Sequence, residues 1–134
     1  MATTLSEKAR AFLNERRFAV LATINSDGTP QLTTMWYLLE GDIIVMNTKA
    51  ERIKDRNMKR DPRIAICVQD GYSYVTINGT VEMIDDPHIS QQDIARLATR
   101  YNGAEKARQQ VAEQFSKEPR ITLRLQCKHV IEYL

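Results

Sequence analysis

The chain has 134 residues, of which 43% are hydrophobic and 27% charged, and its formal net charge is only +2. These values fit one soluble globular domain covering residues 1–134. No stretch approaches the roughly 18 apolar residues of a membrane span, and the N-terminus MATTLSEKAR lacks the apolar core of a secretory signal, so we expect a cytoplasmic protein with no membrane partner.

The N-terminal half predicts one helix followed by three strands. Thr4 and Glu7 have the spacing of a capping box ahead of an apolar stripe, which predicts the start of the helix. The run RFAVLATIN is almost continuously apolar and is typical of a strand covered on both faces. The turn SDGTP leads into a strand QLTTMWYLLE, and Gly41-Asp42 leads into a strand IIVMNT.

Two more strands, RIAICVQ and YSYVTI, follow a basic segment and are joined at Asp70-Gly71. Asn78-Gly79 then allows two interpretations. The residues themselves favour a two-residue hairpin. The alternative is one long strand with a glycine bulge that lets it bend.

Residues 90–117 have helical periodicity, with Ser90 and Asp93 at capping spacing and a break at Asn102-Gly103. The last segment, RITLRLQCKHVIEYL, alternates as a closing strand. We expect its core face to carry Ile121, Leu123, Leu125, Cys127, His129, Ile131 and Tyr133. About six antiparallel strands with tight turns predict a small closed or split barrel.

Metal chemistry is not expected. Cys67 and Cys127 lie far apart and fit no metal-binding spacing, so we expect two free thiols packed as small apolar groups. His88 and His129 are the only histidines, and they form no H-x-x-x-H pair. The sequence also contains no Ser-His-Asp set or paired-carboxylate motif, so no catalytic side chain is predicted.

The basic segment holds six Lys or Arg residues from Lys49 to Arg60 against two acidic residues. It begins where a strand ends and stops at Asp61-Pro62, because a residue before proline avoids the helical region. Thr48 and Glu51 are placed as another capping box. A strand-to-helix junction of this kind can hold a phosphate group. The alternatives are a solvated basic helix and a nucleic-acid surface, and the near-neutral net charge argues against nucleic acid as a partner.

Two segments in the expected order, VLATINSDGTPQLTTMWY and KDRNMKRDPR, carry a family resemblance that extends over nearly the whole chain. The sequence resembles the pyridoxamine 5′-phosphate oxidase-like split-barrel superfamily, and within it the flavin- and deazaflavin-dependent reductases. The resemblance implies a mainly β, antiparallel split barrel of the FMN-binding type with a few helices. It also implies a homodimer with two cofactor clefts at the interface, and one bent strand through Asn78-Gly79.

The resemblance also implies the cofactor site. Arg52 and Lys54 match the family's phosphate-binding residues, and Arg56 and Asn57 fall beside them. Residues two apart point about 200° apart on a helix, so Arg52 and Lys54 can face one phosphate only if the helix begins near Ile53. The ring system would lie along Gln31, Leu32, Thr33, Thr34, Met35, Met46, Asn47 and Thr48.

Three aromatic residues have a second interpretation. Tyr72 and Tyr74 match positions that approach the cofactor from the partner subunit, but plain sheet packing explains them equally. Trp36 is an alternate-face neighbour of Met35, so only one of the two should point into the cleft, and Trp36 would otherwise be a core or interface aromatic.

The resemblance implies an oxidoreductase that uses a bound deazaflavin, coenzyme F-420, to transfer hydride to a small organic acceptor. The six cations suit the polyanionic tail of F-420, while FMN is the alternative cofactor. The cofactor itself performs the electron transfer, so catalytic side chains need not be visible. A different possibility is a flavin- or haem-binding protein without turnover, with His129 as a haem ligand. The sequence ends at HVIEYL without the residues that hold the substrate phosphate in true pyridoxamine phosphate oxidases, so vitamin B6 oxidation is not expected.

Overall fold

The computed structural model describes residues 4–134, which form four helices, nine strands and one short 3-10 turn. In chain order the elements are α1 (Glu7–Asn14), β1 (Ala19–Ile24), β2 (Pro30–Met35), β3 (Leu38–Glu40), β4 (Ile43–Lys49), α2 (Ile53–Arg60), β5 (Arg63–Asp70), β6 (Ser73–Thr80), β7 (Glu82–Ile84), α3 (Pro87–Asn102), α4 (Ala104–Glu113), the 3-10 turn (Phe115–Lys117), β8 (Arg120–Gln126) and β9 (His129–Tyr133).

The strands form two antiparallel sheets that share one core. The larger sheet has the order β2-β1-β5-β6-β9, and the smaller has the order β3-β4-β8-β7. Ile66 and Ile77 from the larger sheet pack with Met46 and Leu123 from the smaller, and all four are buried. The predicted mainly β, antiparallel architecture is therefore confirmed.

The segment QLTTMWYLLE forms two strands rather than one, because Tyr37 leaves the ladder. Its side chain is fully buried, its hydroxyl donates to the Leu13 carbonyl at 2.9 Å, and its backbone N–H donates to the Tyr101 hydroxyl at 3.1 Å. These contacts hold the chain between β2 and β3 against α1 and α3.

The predicted closing strand is also divided, at Cys127-Lys128. The Lys128 N–H donates to the Gln126 carbonyl at 2.9 Å, and β9 then joins the other sheet. The turn residues shift the alternation of inward and outward side chains by one position, so Val130, and not His129, faces the core. The prediction that His129, Ile131 and Tyr133 face the core is therefore wrong, since all three are exposed.

Asn78-Gly79 lies inside β6 and makes no hairpin. Asn78 pairs with Ala65 and Gly79 with Ile64 in an unbroken ladder. A Cβ atom at Gly79 would lie 3.2 Å from Leu125 Cδ1, so this position favours glycine because the sheets approach closely. The chain crosses to the smaller sheet at Val81. The bent strand implied by the resemblance is confirmed, and the local hairpin interpretation is wrong.

Helix starts differ from the predicted capping residues. Ser6, not Thr4, caps α1 by accepting the Ala9 N–H at 3.0 Å. Asp86, not Ser90, caps α3, because Ser90 is buried and donates to the Ile84 carbonyl. The break at Asn102-Gly103 is confirmed. None of the helices within residues 4–134 is long and apolar enough to cross a membrane.

Stability at alkaline pH should depend on Tyr37. Burial raises its pKa from 10.0 to about 12, which means that the folded state favours the neutral phenol. The stability contributed by Tyr37 is therefore complete below pH 10 and is lost as the pH rises towards 12. In urea unfolding at stepped pH, Tyr37→Phe should show a shallower fall in the free energy of unfolding over this range. An unchanged slope would contradict the assignment.

Candidate functional site

A cleft of about 250 Å³ opens where β2 and β4 meet the start of α2 and the helical pair α3–α4. Its lining consists of a basic end, a polar edge and an apolar wall. The lining residues are Thr33, Thr34, Met35, Trp36, Asn47, Thr48, Lys49, Arg52, Lys54, Ile94, Leu97, Gln114, Phe115 and Arg120.

Half of the fourteen residues predicted for a cofactor site line this cleft. They are Thr33, Thr34, Met35, Asn47, Thr48, Arg52 and Lys54. Trp36 also lines it, together with its neighbour Met35. The expectation that only one of these two could do so fails because β2 ends at Met35, so strict strand alternation does not extend to Trp36.

The structure does not bring Met46, Arg56 or Asn57 to the cleft. Met46 is fully buried in the core. Arg56 is turned outward on α2 and lies 3.7 Å from Glu51. Asn57 faces β1, where its amide donates to Thr23 Oγ1 at 3.0 Å and to Asn25 Oδ1 at 2.9 Å. Asn57 therefore fixes α2 to the barrel.

Gln31, Leu32, Tyr72 and Tyr74 also lie away from the cleft of their own chain. Leu32 is 62% exposed, and Tyr72 is 92% exposed in the turn between β5 and β6. Tyr74 stacks on Tyr133 with ring centroids 5.8 Å apart. Within one chain, Leu32 and Tyr74 lie on the outer face of the larger sheet.

Three cations, Arg52, Lys54 and Arg120, form the basic end of the cleft, and we call them the cation cluster. As predicted, α2 begins at Ile53, so Arg52 precedes it in extended conformation and both side chains reach the same cleft. No side chain caps the helix, which leaves its first N–H groups available to an anion.

Lys54 differs from an ordinary surface lysine in its burial and in its lack of an ion-pair partner. Only 7% of the residue is exposed, and its ammonium group has no carboxylate partner among residues 4–134. Burial, then the charges of Arg52 and Arg120, lowers the Lys54 pKa below its usual 10.5. Burying an unpaired ammonium is costly unless an anion compensates it.

The loop before α2 is held by Asp55. Its Oδ2 accepts the Glu51 N–H at 2.7 Å and lies 3.3 Å from Lys59 Nζ. Glu51 itself adopts a positive φ of 70°, which is unfavourable for a residue with a side chain. The predicted capping box of Thr48 and Glu51 is therefore wrong, because the helix begins later and Asp55 takes the bond to Glu51.

Arg120 is a cleft residue that sequence reasoning missed. Its Nε donates to Asn47 Oδ1 at 2.9 Å, its Nη1 lies 2.9 Å from Glu118 Oε1, and its guanidinium lies over the Phe115 ring. Arg120 reaches the cleft because β8 pairs with β4, which places it opposite Lys49. Nothing local in the sequence indicates that pairing.

Buried polar groups support the floor of the cleft from below. The Asn47 amide donates to the Ser90 carbonyl at 2.9 Å, and the Ser90 hydroxyl accepts the Thr122 N–H at 3.1 Å. The Thr122 hydroxyl donates to Asp93 Oδ2 at 2.8 Å. This network fixes Asn47, and Asn47 in turn orients Arg120.

The opposite wall of the cleft is apolar and aromatic. Trp36 stacks on Tyr101 with centroids 5.3 Å apart and meets Phe115 edge-on at 6.4 Å. Ile94 and Leu97 of α3 complete the wall. A basic end next to a flat apolar wall suits a ligand that combines an anionic group with a planar ring. Within residues 4–134 no cluster of three His, Cys, Asp or Glu side chains could hold a metal ion, and both cysteines are free thiols.

The chain has two antiparallel sheets with a basic cleft at their junction, and this fold is that of a split-barrel protein. The sequence model of the pyridoxamine 5′-phosphate oxidase family matches residues 5–132. The chain belongs to that family.

Solved structures agree with this assignment. The conserved hypothetical protein Rv2991 from Mycobacterium tuberculosis is 29% identical, with a TM-score of 0.82 over 98% of this chain and 86% of that one. A protein described as an F-420 reductase is 27% identical, with a TM-score of 0.76 over 95% and 98%. The haem storage protein HutZ from Vibrio cholerae, at 18% identity and a TM-score of 0.71 over 96% and 94%, shares the fold.

Proposed function

We propose that the cleft binds a phosphate-bearing flavin or deazaflavin and that the chain is a cytoplasmic oxidoreductase acting on a small organic acceptor. The observation that carries this proposal is the largely buried side chain of Lys54, which lines the cleft beside Arg52 and Arg120 and whose ammonium group lacks a carboxylate partner among the described residues. A phosphate group would neutralise this cluster and accept the free N–H groups at the start of α2.

The residues present fit such a cofactor. The cation cluster would hold the phosphate, Thr33 and Thr34 would offer hydroxyl and backbone groups to the ring edge, and Trp36 would lie against the apolar part. When bound, a reduced cofactor would supply a hydride, which is one proton with two electrons, and the acceptor would take one further proton from water. The protein would bind the cofactor, orient its ring and shield it from water.

We propose F-420 as the cofactor, with FMN as the alternative. The 27% identical F-420 reductase supports this choice. The count of cations supports it less than the sequence alone suggests, because Lys49, Arg56 and Lys59 each lie within 3.8 Å of a carboxylate. Among residues 4–134, Arg52, Lys54 and Arg60 have no carboxylate partner, and of these three only Arg52 and Lys54 line the cleft.

We also propose that the working unit is a homodimer formed through the outer face of the larger sheet. Several apolar side chains are exposed on or beside this face: Phe18, Val20, Leu32, Ile131 and Tyr133. Thr34 pairs with Val20 on the same face and also lines the cleft, so a second copy on this face would border the site. A cleft of about 250 Å³ is also at the small end for enclosing a whole cofactor.

Absorbance titration with FMN and with F-420 tests the proposal. We expect F-420 to bind saturably at one equivalent per chain and to bind more tightly than FMN. Failure of both cofactors to bind would overturn the proposed function. Steady-state reduction of acceptors by the loaded protein then separates an enzyme from a carrier.

Haem titration tests the remaining alternative. His129 lies in a different pocket, with Asn78, Arg124 and Lys128, and not in the cleft. Stoichiometric haem binding that is lost in His129→Ala would replace the flavin proposal. Haem binding that is weak and unchanged by His129→Ala would support the flavin proposal.

A further inference from the structure

Glu118 is a carboxylate beside the basic end of the cleft, just before the start of β8. Only 14% of its side chain is exposed. Its Oε1 lies 2.9 Å from Arg120 Nη1, and its Oε2 lies 3.8 Å from Lys49 Nζ. One carboxylate therefore bridges two of the cations that line the cleft.

The bridge offsets a repulsion that the fold creates. Lys49 and Arg120 lie directly opposite each other on the paired strands β4 and β8, and like charges in that arrangement repel. The backbone of Glu118 is held in place from α3, because the Gln91 amide donates to the Glu118 carbonyl at 3.1 Å. The carboxylate is therefore a fixed neighbour of both cations.

Glu118 divides the cleft cations into two groups. Lys49 and Arg120 share its carboxylate, whereas Arg52 and Lys54 line the cleft without a carboxylate partner among residues 4–134. Two unpaired cations match the charge of one phosphate monoester, which carries about two negative charges at neutral pH. A second phosphate group would have to take Arg120 or Lys49 from Glu118, and it would then lie close to a like charge.

We propose that Glu118 determines which anionic group the cleft accepts, by restricting it to a single phosphate and disfavouring pyrophosphate. The proposal rests on the proposed function, because it refines the class of cofactor. The cleft would take a flavin or deazaflavin with one phosphate group, such as FMN or F-420, and reject a pyrophosphate-bearing flavin such as FAD. Glu118 is a positioning residue, since it acts through Arg120 and Lys49 and does not line the cleft itself.

Inorganic anions test this role without a cofactor ring. Phosphate and pyrophosphate would be titrated calorimetrically into the wild-type protein and into Glu118→Gln, at low ionic strength, where interactions between charges are least screened. Glutamine keeps the length of the side chain and an oxygen that Arg120 can contact, but it carries no charge. Glu105→Gln, at an exposed position of α4, is the matched control.

The wild-type protein should bind pyrophosphate at most about threefold more tightly than phosphate. Glu118→Gln should bind pyrophosphate about tenfold more tightly than the wild-type protein does, and phosphate only about twofold more tightly, because Arg120 and Lys49 become available to the second phosphate group. The ratio of FAD affinity to FMN affinity should rise in the same variant by a similar factor. Glu105→Gln should change none of these affinities.

Four results would overturn the proposal. They are a wild-type protein that already prefers pyrophosphate strongly, an absence of binding of either anion to both proteins, an unchanged ratio of the two affinities in Glu118→Gln, and an equal gain for both anions, which would show a general effect of charge. A loss of both affinities would also contradict it, because it would assign Glu118 a purely structural role.

Circular dichroism checks that Glu118→Gln is folded. If it is not, Glu118→Asp decides, because withdrawing the carboxylate by one methylene group should shift the ratio in the same direction, and an unchanged ratio would count against the proposal. Failure of the proposed function is a separate result, since it appears as absent binding of FMN and F-420 to the wild-type protein. A shifted anion ratio would then show that Glu118 controls an anion site that holds no flavin.

Discussion

Replacing Lys54 with methionine is expected to weaken cofactor binding by about ten- to a hundredfold and to raise the melting temperature of the cofactor-free protein. The loss follows from removing one charge-assisted phosphate contact of about 1.5–3 kcal/mol, at about 1.4 kcal/mol per decade of affinity. The gain follows because methionine has a similar length but places no ammonium group beside Arg52 and Arg120 in a largely buried position.

The same substitution should change the pH dependence of stability. The folded-state pKa of Lys54 lies below the 10.5 of the unfolded chain, so between these two values the unfolded state binds more protons. The contribution of Lys54 to the free energy of unfolding therefore rises with pH across that interval. Lys54→Met should remove this rise, while cofactor affinity of the wild-type protein should fall as Lys54 loses its proton.

The control for Lys54→Met is Lys106→Met, which removes an exposed lysine from α4 and should leave affinity and melting temperature unchanged. Lys59 is unsuitable, because its ammonium lies 3.3 Å from the Asp55 carboxylate that holds the Glu51 loop. Wild-type affinity in Lys54→Met would refute the phosphate assignment. A lower melting temperature would show that Lys54 contributes to folding through a contact other than the cleft.

The second large effect is expected from Val20→Lys. The wild-type protein should scatter light as a dimer, with twice the 15.4 kDa chain mass, and the variant as a monomer. Val20 lies on the outer face of the larger sheet and is 37% exposed, so a lysine is tolerated by the fold but costs several kcal/mol inside an apolar interface. Cofactor affinity should fall by at least tenfold if a second copy completes the cleft.

Circular dichroism checks that Val20→Lys remains folded, and Ala112→Lys on the exposed side of α4 is the matched control for the added charge. A wild-type protein that is monomeric at micromolar concentration would contradict the dimer. A monomeric variant with full cofactor affinity would show instead that one chain forms the whole site.

The resemblance supplied Arg52 and Lys54 as the expected phosphate-binding pair. Helix geometry added that α2 must begin near Ile53 for both side chains to face one ligand, and the structure has this start. At Asn78-Gly79 the resemblance implied the bent strand that is present, whereas the local residues favoured a hairpin. The glycine is needed there because Leu125 approaches closely from the other sheet. That contact depends on tertiary structure and leaves no local signal.

Two of the missed features depend on pairing between distant strands. Arg120 enters the cleft because β8 lies beside β4, and its bond to Asn47 joins residues 73 positions apart. The wrong prediction for the residues after Cys127 has the same origin, because the chain changes sheets there. The alternation of inward and outward side chains was extended through Cys127-Lys128, although it holds only within each strand. Periodicity indicates faces only within one continuous strand.

The Asp55–Glu51 hydrogen bond has a kinetic consequence. It holds Glu51 at φ 70° and sets the position from which Arg52 and Lys54 enter the cleft, so the strain and the crowding of charge are already present before a ligand arrives. Association should then need little rearrangement, and its rate should be set by diffusion and by salt. Cofactors that share a phosphate but differ in their tails should arrive at similar rates and be distinguished by how long each stays bound.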